Sequence, residues 1–165
     1  MEISIQTLQT ADWESVREIY CEGLATGQAT FETEAPSADQ WDDGHLLCAR
    51  LGAFLDGRLV GWAALSAVSK RRAYAGVAEV SVYVAENERG HGVGRTLLQR
   101  LIIESEQNGI WTLQASIFPE NEASLKLHEA LGFRRVGYRE RISKLNGLWR
   151  DTVILERRST EVGID

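Results

Sequence analysis

Three glycines alternate with other residues between Arg89 and Gly94, after a β-rich segment and before a helical pattern. The first N–H groups of a helix have no intrahelical partner, the helix dipole is positive there, and glycine lets phosphate oxygens approach the backbone. A helix start shaped only for tight packing is the alternative, but three such glycines are costly for packing alone. The pattern predicts a phosphate-binding turn, whose residues are Arg89, Gly90, His91, Gly92, Val93, Gly94 and the adjoining Arg95.

Two common phosphate-binding motifs do not fit this spacing. A dinucleotide-binding fingerprint needs G-x-G-x-x-G, but Arg95 stands where its third glycine belongs. A P-loop needs G-x-x-x-x-G-K-[ST], whereas Gly94 comes one residue too early and is followed by Arg95 and Thr96. The turn therefore predicts a phosphate ligand of another class.

Glu79 is a carboxylate within the otherwise apolar strand pattern from Val77 to Val84. Alternation puts Ser81 and Tyr83 on its face of the strand and Ala78, Val80, Val82 and Val84 on the opposite face. Partial burial suits a carboxylate to act as a general base. The alternative is a structural ion pair with an arginine such as Arg72 or Arg134.

The composition limits the classes of function. A chain of 165 residues with a formal net charge of −6 and no dense Lys/Arg run does not fit a nucleic-acid-binding protein and favours a small-molecule partner. Neither a signal peptide nor a membrane-spanning stretch is recognisable, and Cys21 and Cys48 fit reduced core thiols. We therefore expect a cytoplasmic protein without a membrane or nucleic-acid partner.

The elements that must hold these residues follow from hydrophobic periodicity and turn signals. A first strand near Ile3–Leu8 precedes a helix from Trp13 to Leu24 with Asp12 as its cap, and a weaker second helix is predicted at Ser37–Arg50. The other predicted strands are Ala53–Leu55, Leu59–Leu65, Val77–Val84, Trp111–Ile117, Phe133–Leu145 and Leu148–Leu155, with turns at Asp56-Gly57 and Asn146-Gly147. The other predicted helices run from Val93 to about Asn108-Gly109 and from Asn121 to Gly132.

This order predicts an α/β (or α+β) fold with a mixed sheet and helices on its faces. Its length fits one domain, for which we expect residues 1–158, followed by a short tail at 159–165.

The turn at Arg89–Gly94 resembles the R/Q-x-x-G-x-G/A signature of the GNAT N-acetyltransferases, in which it binds the pyrophosphate of acetyl-CoA. Four segments are similar to the phosphinothricin and methionine sulfoximine acetyltransferase branch: Glu79–Val84, Asn121–Glu129, Leu131–Phe133 and Gly147–Asp151. The resemblance runs from about Ile3 to Arg157. It implies a mostly antiparallel GNAT sheet flanked by helices on both faces, acetyl-CoA as co-substrate, no metal, and a homodimer.

The resemblance also implies roles for individual residues. Glu79 would be the base, and His128 would be the acid, since it stands where many relatives carry tyrosine. Val82, Tyr83, Val84 and Asn121 would bind the pantetheine arm, with a backbone N–H of the strand at the oxyanion. The expected acceptor pocket comprises Phe31, Glu32, Arg72, Ala73 and Tyr74. Arg72 would bind the carboxylate of the acceptor with two hydrogen bonds.

The expected reaction is direct acetylation of the amine of a small amino-acid analogue such as phosphinothricin, methionine sulfoximine or its sulfone. Two other readings stay open at this point. The acceptor could be a peptide or protein N-terminus or a polyamine drawn by the acidic surface. The chain could also be a CoA-binding module without turnover.

Overall fold

A computed structural model describes residues 2–165 as a seven-stranded mixed sheet with four α-helices. The strand order is β1-β2-β3-β4-β5-β7-β6, and every neighbouring pair is antiparallel except the parallel pair β4 and β5. The predicted fold class is confirmed. The elements are β1 Ser4–Thr7, α1 Trp13–Thr26, α2 Ala38–Gly44, β2 Leu51–Leu55, β3 Arg58–Ala67, β4 Val77–Val84, α3 Val93–Gln107, β5 Thr112–Ile117, α4 Glu122–Ala130, β6 Arg134–Leu145 and β7 Leu148–Arg158.

The two faces of the sheet bury separate cores. One core combines α3 with the inward-facing residues of β2 to β5, and Leu125 of α4 joins it. The other core holds Val16 and Ile19 of α1 and Trp41 of α2 against Trp62 of β3. Since successive strand residues point to opposite faces, β4 places Ala78, Val80, Val82 and Val84 in or against the first core. Glu79, Ser81 and Tyr83 face the side of α1 and α2.

Two tight turns connect the hairpins as the sequence predicts. Asp56 and Gly57 both have positive φ, at 49° and 76°, and so do Asn146 and Gly147, at 50° and 82°. Positive φ at both central residues is the geometry that matches the right-handed twist of the flanking strands. Local turn chemistry therefore sets the register of β2–β3 and of β6–β7 next to each turn, before the irregularities at Ala53/Phe54 and Arg139/Ser143.

The second helix is shorter than predicted. It ends at Gly44 rather than running to Arg50, and residue 46 already pairs with the sheet through Leu46 N–H and the Leu65 carbonyl, 2.8 Å apart. The Arg50 guanidinium donates to the carbonyls of Asp42, His45 and Leu46. It thereby satisfies backbone acceptors that a longer helix would have paired internally.

Asp12 occupies the N-cap position of α1 as predicted, but its side chain makes no capping bond. A short 3-10 turn, Thr10–Asp12, precedes α1, and the Asp12 carboxylate accepts a hydrogen bond from the Gln9 N–H at 2.7 Å. The last strand extends to Arg158, and the tail then folds back, with Ser159 N–H bonded to the Trp111 carbonyl. No helix within residues 2–165 is long and apolar enough to span a bilayer.

Candidate active site

The parallel strands β4 and β5 diverge at Glu79. Their pairing covers Val77 with Thr112, Ala78 with Leu113 and Glu79 with Gln114, and then stops although both strands continue. A cavity of about 510 Å³ opens in this gap, and its lining includes residues 79–83 of β4, residues 115–117 of β5 and Phe118. We call it the β4–β5 cavity.

On the side of β4 that faces this gap, the backbone groups beyond Glu79 have no strand partner. Ala85 N–H donates to the Val60 carbonyl and Val68 N–H donates to the Val77 carbonyl, so the odd-numbered residues of β4 bond to β3. Because hydrogen-bonding direction alternates along a strand, Val82 and Val84 present their N–H groups towards β5. Arg89 Nε donates a hydrogen bond to the Val84 carbonyl oxygen, 3.3 Å away. Of the three strand residues predicted to contact the coenzyme, Val82 and Val84 therefore have free backbone donors, and Tyr83 does not.

The Tyr83 side chain belongs to an aromatic stack. Its ring lies 4.8 Å from Trp62, nearly parallel, and 5.0 Å from Tyr20. Burial raises the pKa of Tyr83, so the phenol keeps its proton. Gly23 makes room for the ring, since a Cβ there would lie 2.7 Å from Cε1 of Tyr83. Tyr83 lines both the β4–β5 cavity and a neighbouring one that reaches α2.

Glu79 lies at the divergence point with only neutral partners. Gln114 Nε2 and Ser116 Oγ both donate to Oε1, at 3.2 and 3.3 Å. No salt bridge reaches Glu79 within residues 2–165, and Arg134 pairs with Glu156 instead. The alternative of an ion pair with Arg72 or Arg134 is therefore not what the structure contains, and Glu79 can accept a proton from a ligand in the cavity.

The glycine turn lies just beyond the end of β4. Gly90 and Gly92 have φ of 79° and 86°, in the left-handed region that glycine adopts without strain. The first N–H of α3 with a helical partner is that of Thr96, which bonds to the Gly92 carbonyl. The N–H groups of residues 90–95 have no backbone partner within residues 2–165, and the segment has the geometry of an anion-binding helix start.

Asn121 connects α4 to the loop that follows α1. Its Oδ1 accepts the Ser124 N–H at 3.2 Å as the helix cap, and its Nδ2 donates to the Gln28 carbonyl at 3.2 Å. Residues 28–32 of that loop line the β4–β5 cavity together with Asn121. Phe31 is held there by an edge contact with Phe118, 4.9 Å between ring centroids.

His128 is buried at the edge of the same cavity. Its Nδ1 lies 2.7 Å from the Ser124 carbonyl oxygen and donates a hydrogen bond to it. Burial lowers the pKa of His128, which favours the neutral ring at pH 7 and above. A neutral ring with its proton on Nδ1 leaves Nε2 as an acceptor, which does not suit the role of an acid.

The predicted site residues therefore fall into three groups. Those that line the β4–β5 cavity are Phe31, Glu32, Glu79, Val82, Tyr83, Asn121 and His128. Those at or beyond the end of β4 are Val84, Arg89, Gly90, His91, Gly92, Val93, Gly94 and Arg95. Arg72, Ala73 and Tyr74 form an exposed 3-10 turn before β4 and do not line the cavity.

Two arginines near the cavity were missed from the sequence. Arg139 of β6 is the single arginine or lysine among the described residues that line the β4–β5 cavity. Arg150 of β7 reaches the loop after α1. Neither stands out in sequence, because β6 and β7 carry many charged residues and only the fold separates these two from the rest.

The sequence profile of the acetyltransferase (GNAT) family matches residues 13–133. The chain belongs to this family. Phosphinothricin N-acetyltransferase of Alcaligenes faecalis is 36% identical over 164 residues, covering 93% of this chain and 81% of that protein. The L-methionine sulfoximine/L-methionine sulfone acetyltransferase of Pseudomonas paraeruginosa is 30% identical and covers 94% of each chain.

Solved structures agree with this assignment. A GNAT superfamily phosphinothricin acetyltransferase from Sinorhizobium meliloti, crystallised in complex with acetyl-CoA, superposes with a TM-score of 0.88. It is 29% identical, and the match covers 100% of this chain and 92% of that one. The GNAT chain described here is therefore an acetyltransferase.

Replacing His128 with asparagine should lower kcat less than about tenfold at pH 8, whereas loss of a working general acid costs about 10²- to 10⁴-fold. The reason is that its depressed pKa leaves little imidazolium at that pH. A pH–rate profile of both proteins measures this effect. If His128 supplied a proton as imidazolium, wild-type kcat would fall as pH rises through the lowered pKa, and the variant would lose that fall. A wild-type kcat that falls with rising pH, together with the absence of that fall in the variant, would contradict the expectation.

Proposed function

We propose that this GNAT enzyme transfers the acetyl group of acetyl-CoA to the amine of a small amino-acid-like acceptor. The observation that carries the proposal is the free edge of β4, which leads from the glycine turn to Glu79. From Val84 back to Glu79 an extended strand covers about 17 Å. A pyrophosphate on the turn and a pantetheine arm along Val82 and Val84 would bring the thioester to the cavity where Glu79 lies.

The residues support a direct transfer. Glu79 takes a proton from the ammonium of the acceptor, and the neutral nitrogen attacks the thioester carbonyl carbon. The oxyanion that forms accepts a hydrogen bond from the N–H of Val82 or Val84. When the C–S bond breaks, the nitrogen still carries one proton more than an amide needs, and that proton supplies the thiolate. The products are the N-acetyl amine and CoA, and the chemistry requires no metal.

The acceptor class rests on the relatives and on the charges of the cavity. Relatives over most of the chain are named for phosphinothricin and for methionine sulfoximine or sulfone, which are amino-acid analogues. An amino acid presents an ammonium and a carboxylate side by side. Within the β4–β5 cavity Glu79 suits the ammonium and Arg139 suits the carboxylate, whereas Arg72 does not line the cavity.

The test measures turnover of a panel of acceptors with acetyl-CoA, using the release of CoA thiol to monitor the reaction. We expect phosphinothricin and methionine sulfoximine to be acetylated with higher kcat/KM than N-terminal peptides or polyamines. A preference for peptides or polyamines would overturn the acceptor class. Binding of acetyl-CoA with no thiol release on any amine would identify a CoA-binding module and overturn the reaction itself.

Replacing Arg139 with methionine should raise the KM for phosphinothricin about 10- to 100-fold, because a hydrogen bond to a charged group contributes about 1.5–3 kcal/mol. Steady-state kinetics with acetyl-CoA saturating measures this change. Arg135→Met on the same strand is the control, since Arg135 pairs with Glu129 at the surface. If Arg72→Met raises the KM and Arg139→Met does not, the carboxylate binds at the turn before β4.

We also propose that the enzyme is a homodimer that pairs through β6 and β7. β6 is a 12-residue strand at the edge of the sheet. An edge strand has unpaired N–H and C=O groups that can bond to a strand of another chain. Apolar side chains between 41% and 69% exposed cover this hairpin: Val136, Tyr138, Ile142, Leu148 and Trp149.

The dimer is tested by light scattering after size-exclusion chromatography. Val136→Lys together with Leu148→Lys should yield monomers, whereas Leu47→Lys, at a distant residue that is 88% exposed, should not. A monomeric wild-type protein would overturn the proposal.

We place the enzyme in the cytoplasm, where acetyl-CoA is available and the free thiols of Cys21 and Cys48 would stay reduced.

A further inference from the structure

Arg150 of β7 is an interior arginine with an unusual set of partners. Its side chain is 15% exposed, compared with 71% for Arg134 on the adjacent strand. Its Cζ lies 4.0 Å from the centroid of the Phe118 ring, which covers one face of the guanidinium. Withdrawing an arginine from water in this way is costly in free energy unless its N–H groups have hydrogen-bond partners.

Those partners lie mainly in the loop that follows α1, at residues 27–32. Nη1 donates to the Gly27 carbonyl at 2.9 Å, and Nη2 donates to Oε1 of Gln28 at 2.8 Å. Glu120 makes a longer contact with Nη2, at 3.4 Å. The bonds to Gly27 and Gln28 join residues more than 120 positions apart in sequence.

Residues 28–32 of the 27–32 loop form one wall of the β4–β5 cavity. Gly27 ends α1 in a left-handed conformation, with φ of 66°, so the loop leaves the helix abruptly. Asn121 bonds to the Gln28 carbonyl, and Phe31 rests on Phe118. Arg150 supplies the charge-assisted bonds of this group, which are the stronger kind.

Resting on the acetyl transfer proposed above, we propose that Arg150 is a positioning residue for the acceptor. It fixes the 27–32 loop, and thereby the cavity wall that carries Phe31 and Glu32, without touching either substrate. Arg150 is absent from the residues that line the cavity, whereas Gln28 to Glu32 are all among them. The acceptor's fit should therefore depend on Arg150, and the binding of acetyl-CoA should not.

The first experiment follows the loop without any substrate. In hydrogen–deuterium exchange, Arg150→Met should speed exchange of residues 28–32 and leave the β6–β7 hairpin as in the wild type. Arg134→Met is the matched control on that hairpin, since it removes an exposed ion pair with Glu156. Faster exchange throughout the chain, with a lower melting temperature, would show a purely structural role and overturn the proposal.

The second experiment measures kinetics. Arg150→Met should raise the acceptor KM about tenfold and change the acetyl-CoA KM less than about twofold, with Arg150→Lys in between. Gln28→Ala should give a smaller increase, and its combination with Arg150→Met should be less than additive because the two act through one contact. A raised acceptor KM with unchanged exchange at residues 28–32 would mean direct contact with the acceptor and overturn the proposal. Absence of any wild-type turnover would overturn the proposed reaction, while the exchange result would still decide the role of Arg150.

Discussion

Glu79→Gln should lower kcat about 10²- to 10⁴-fold at neutral pH, while acetyl-CoA binds as tightly as to the wild type. Glutamine has the shape of glutamate and keeps an oxygen that can accept the bonds from Gln114 and Ser116, so the fold should be unaffected. What it loses is the ability to take the acceptor's ammonium proton. Steady-state rates of CoA thiol release and calorimetric titration with acetyl-CoA measure the two quantities.

The pH dependence makes this expectation specific. At a pH near the pKa of the acceptor's own amine, the nucleophile is already neutral and the base is no longer needed. The difference between wild type and Glu79→Gln should therefore shrink as pH rises. Glu156→Gln is the control, since it makes the same chemical change at a surface pair with Arg134. Undiminished kcat in Glu79→Gln would show that water or another group accepts the proton.

Replacing both Gly90 and Gly92 with alanine should weaken acetyl-CoA binding about 100-fold, and Gly92→Ala alone about tenfold. Each glycine has φ near 80°, which costs an L-residue about 1–2 kcal/mol, and about 1.4 kcal/mol corresponds to tenfold in affinity. Relief of that strain would turn the N–H groups of residues 90–95 away from a common point. Calorimetry or fluorescence titration with acetyl-CoA measures the loss.

The matched control for this turn is Gly57→Ala. Gly57 has φ of 76°, and a Cβ at Gly57, Gly90 or Gly92 would meet no atom within 4 Å. The three substitutions therefore introduce the same strain without a clash, but Gly57 lies in the β2–β3 turn. The control should lose stability without losing acetyl-CoA affinity. Equal acetyl-CoA affinity in all variants would mean that the glycine turn does not hold the coenzyme.

Predictions from the sequence succeeded where the cause is local. The Asp56-Gly57 and Asn146-Gly147 turns and the helix starting at Val93 form as predicted, because each depends on residues within a few positions. The second helix was predicted too long because its end depends on the contact of Leu46 with β3 and on Arg50. Asp12 takes the predicted N-cap position of α1, but its side chain does not bond to the helix, because the 3-10 turn before α1 uses that carboxylate.

The glycine turn and the carboxylate of Glu79 are determined by the sequence itself, since a left-handed backbone needs glycine and strand alternation assigns each side chain to a face. The cavity between them is a property of the tertiary structure. The parallel pairing of β4 with β5 brings Gln114 and Ser116 to Glu79 across 35 and 37 residues, and the divergence of the strands beyond that point opens the cavity. It is also the fold that brings Arg139 to the cavity and Arg150 to the 27–32 loop, because such long-range contacts form only when the sheet assembles.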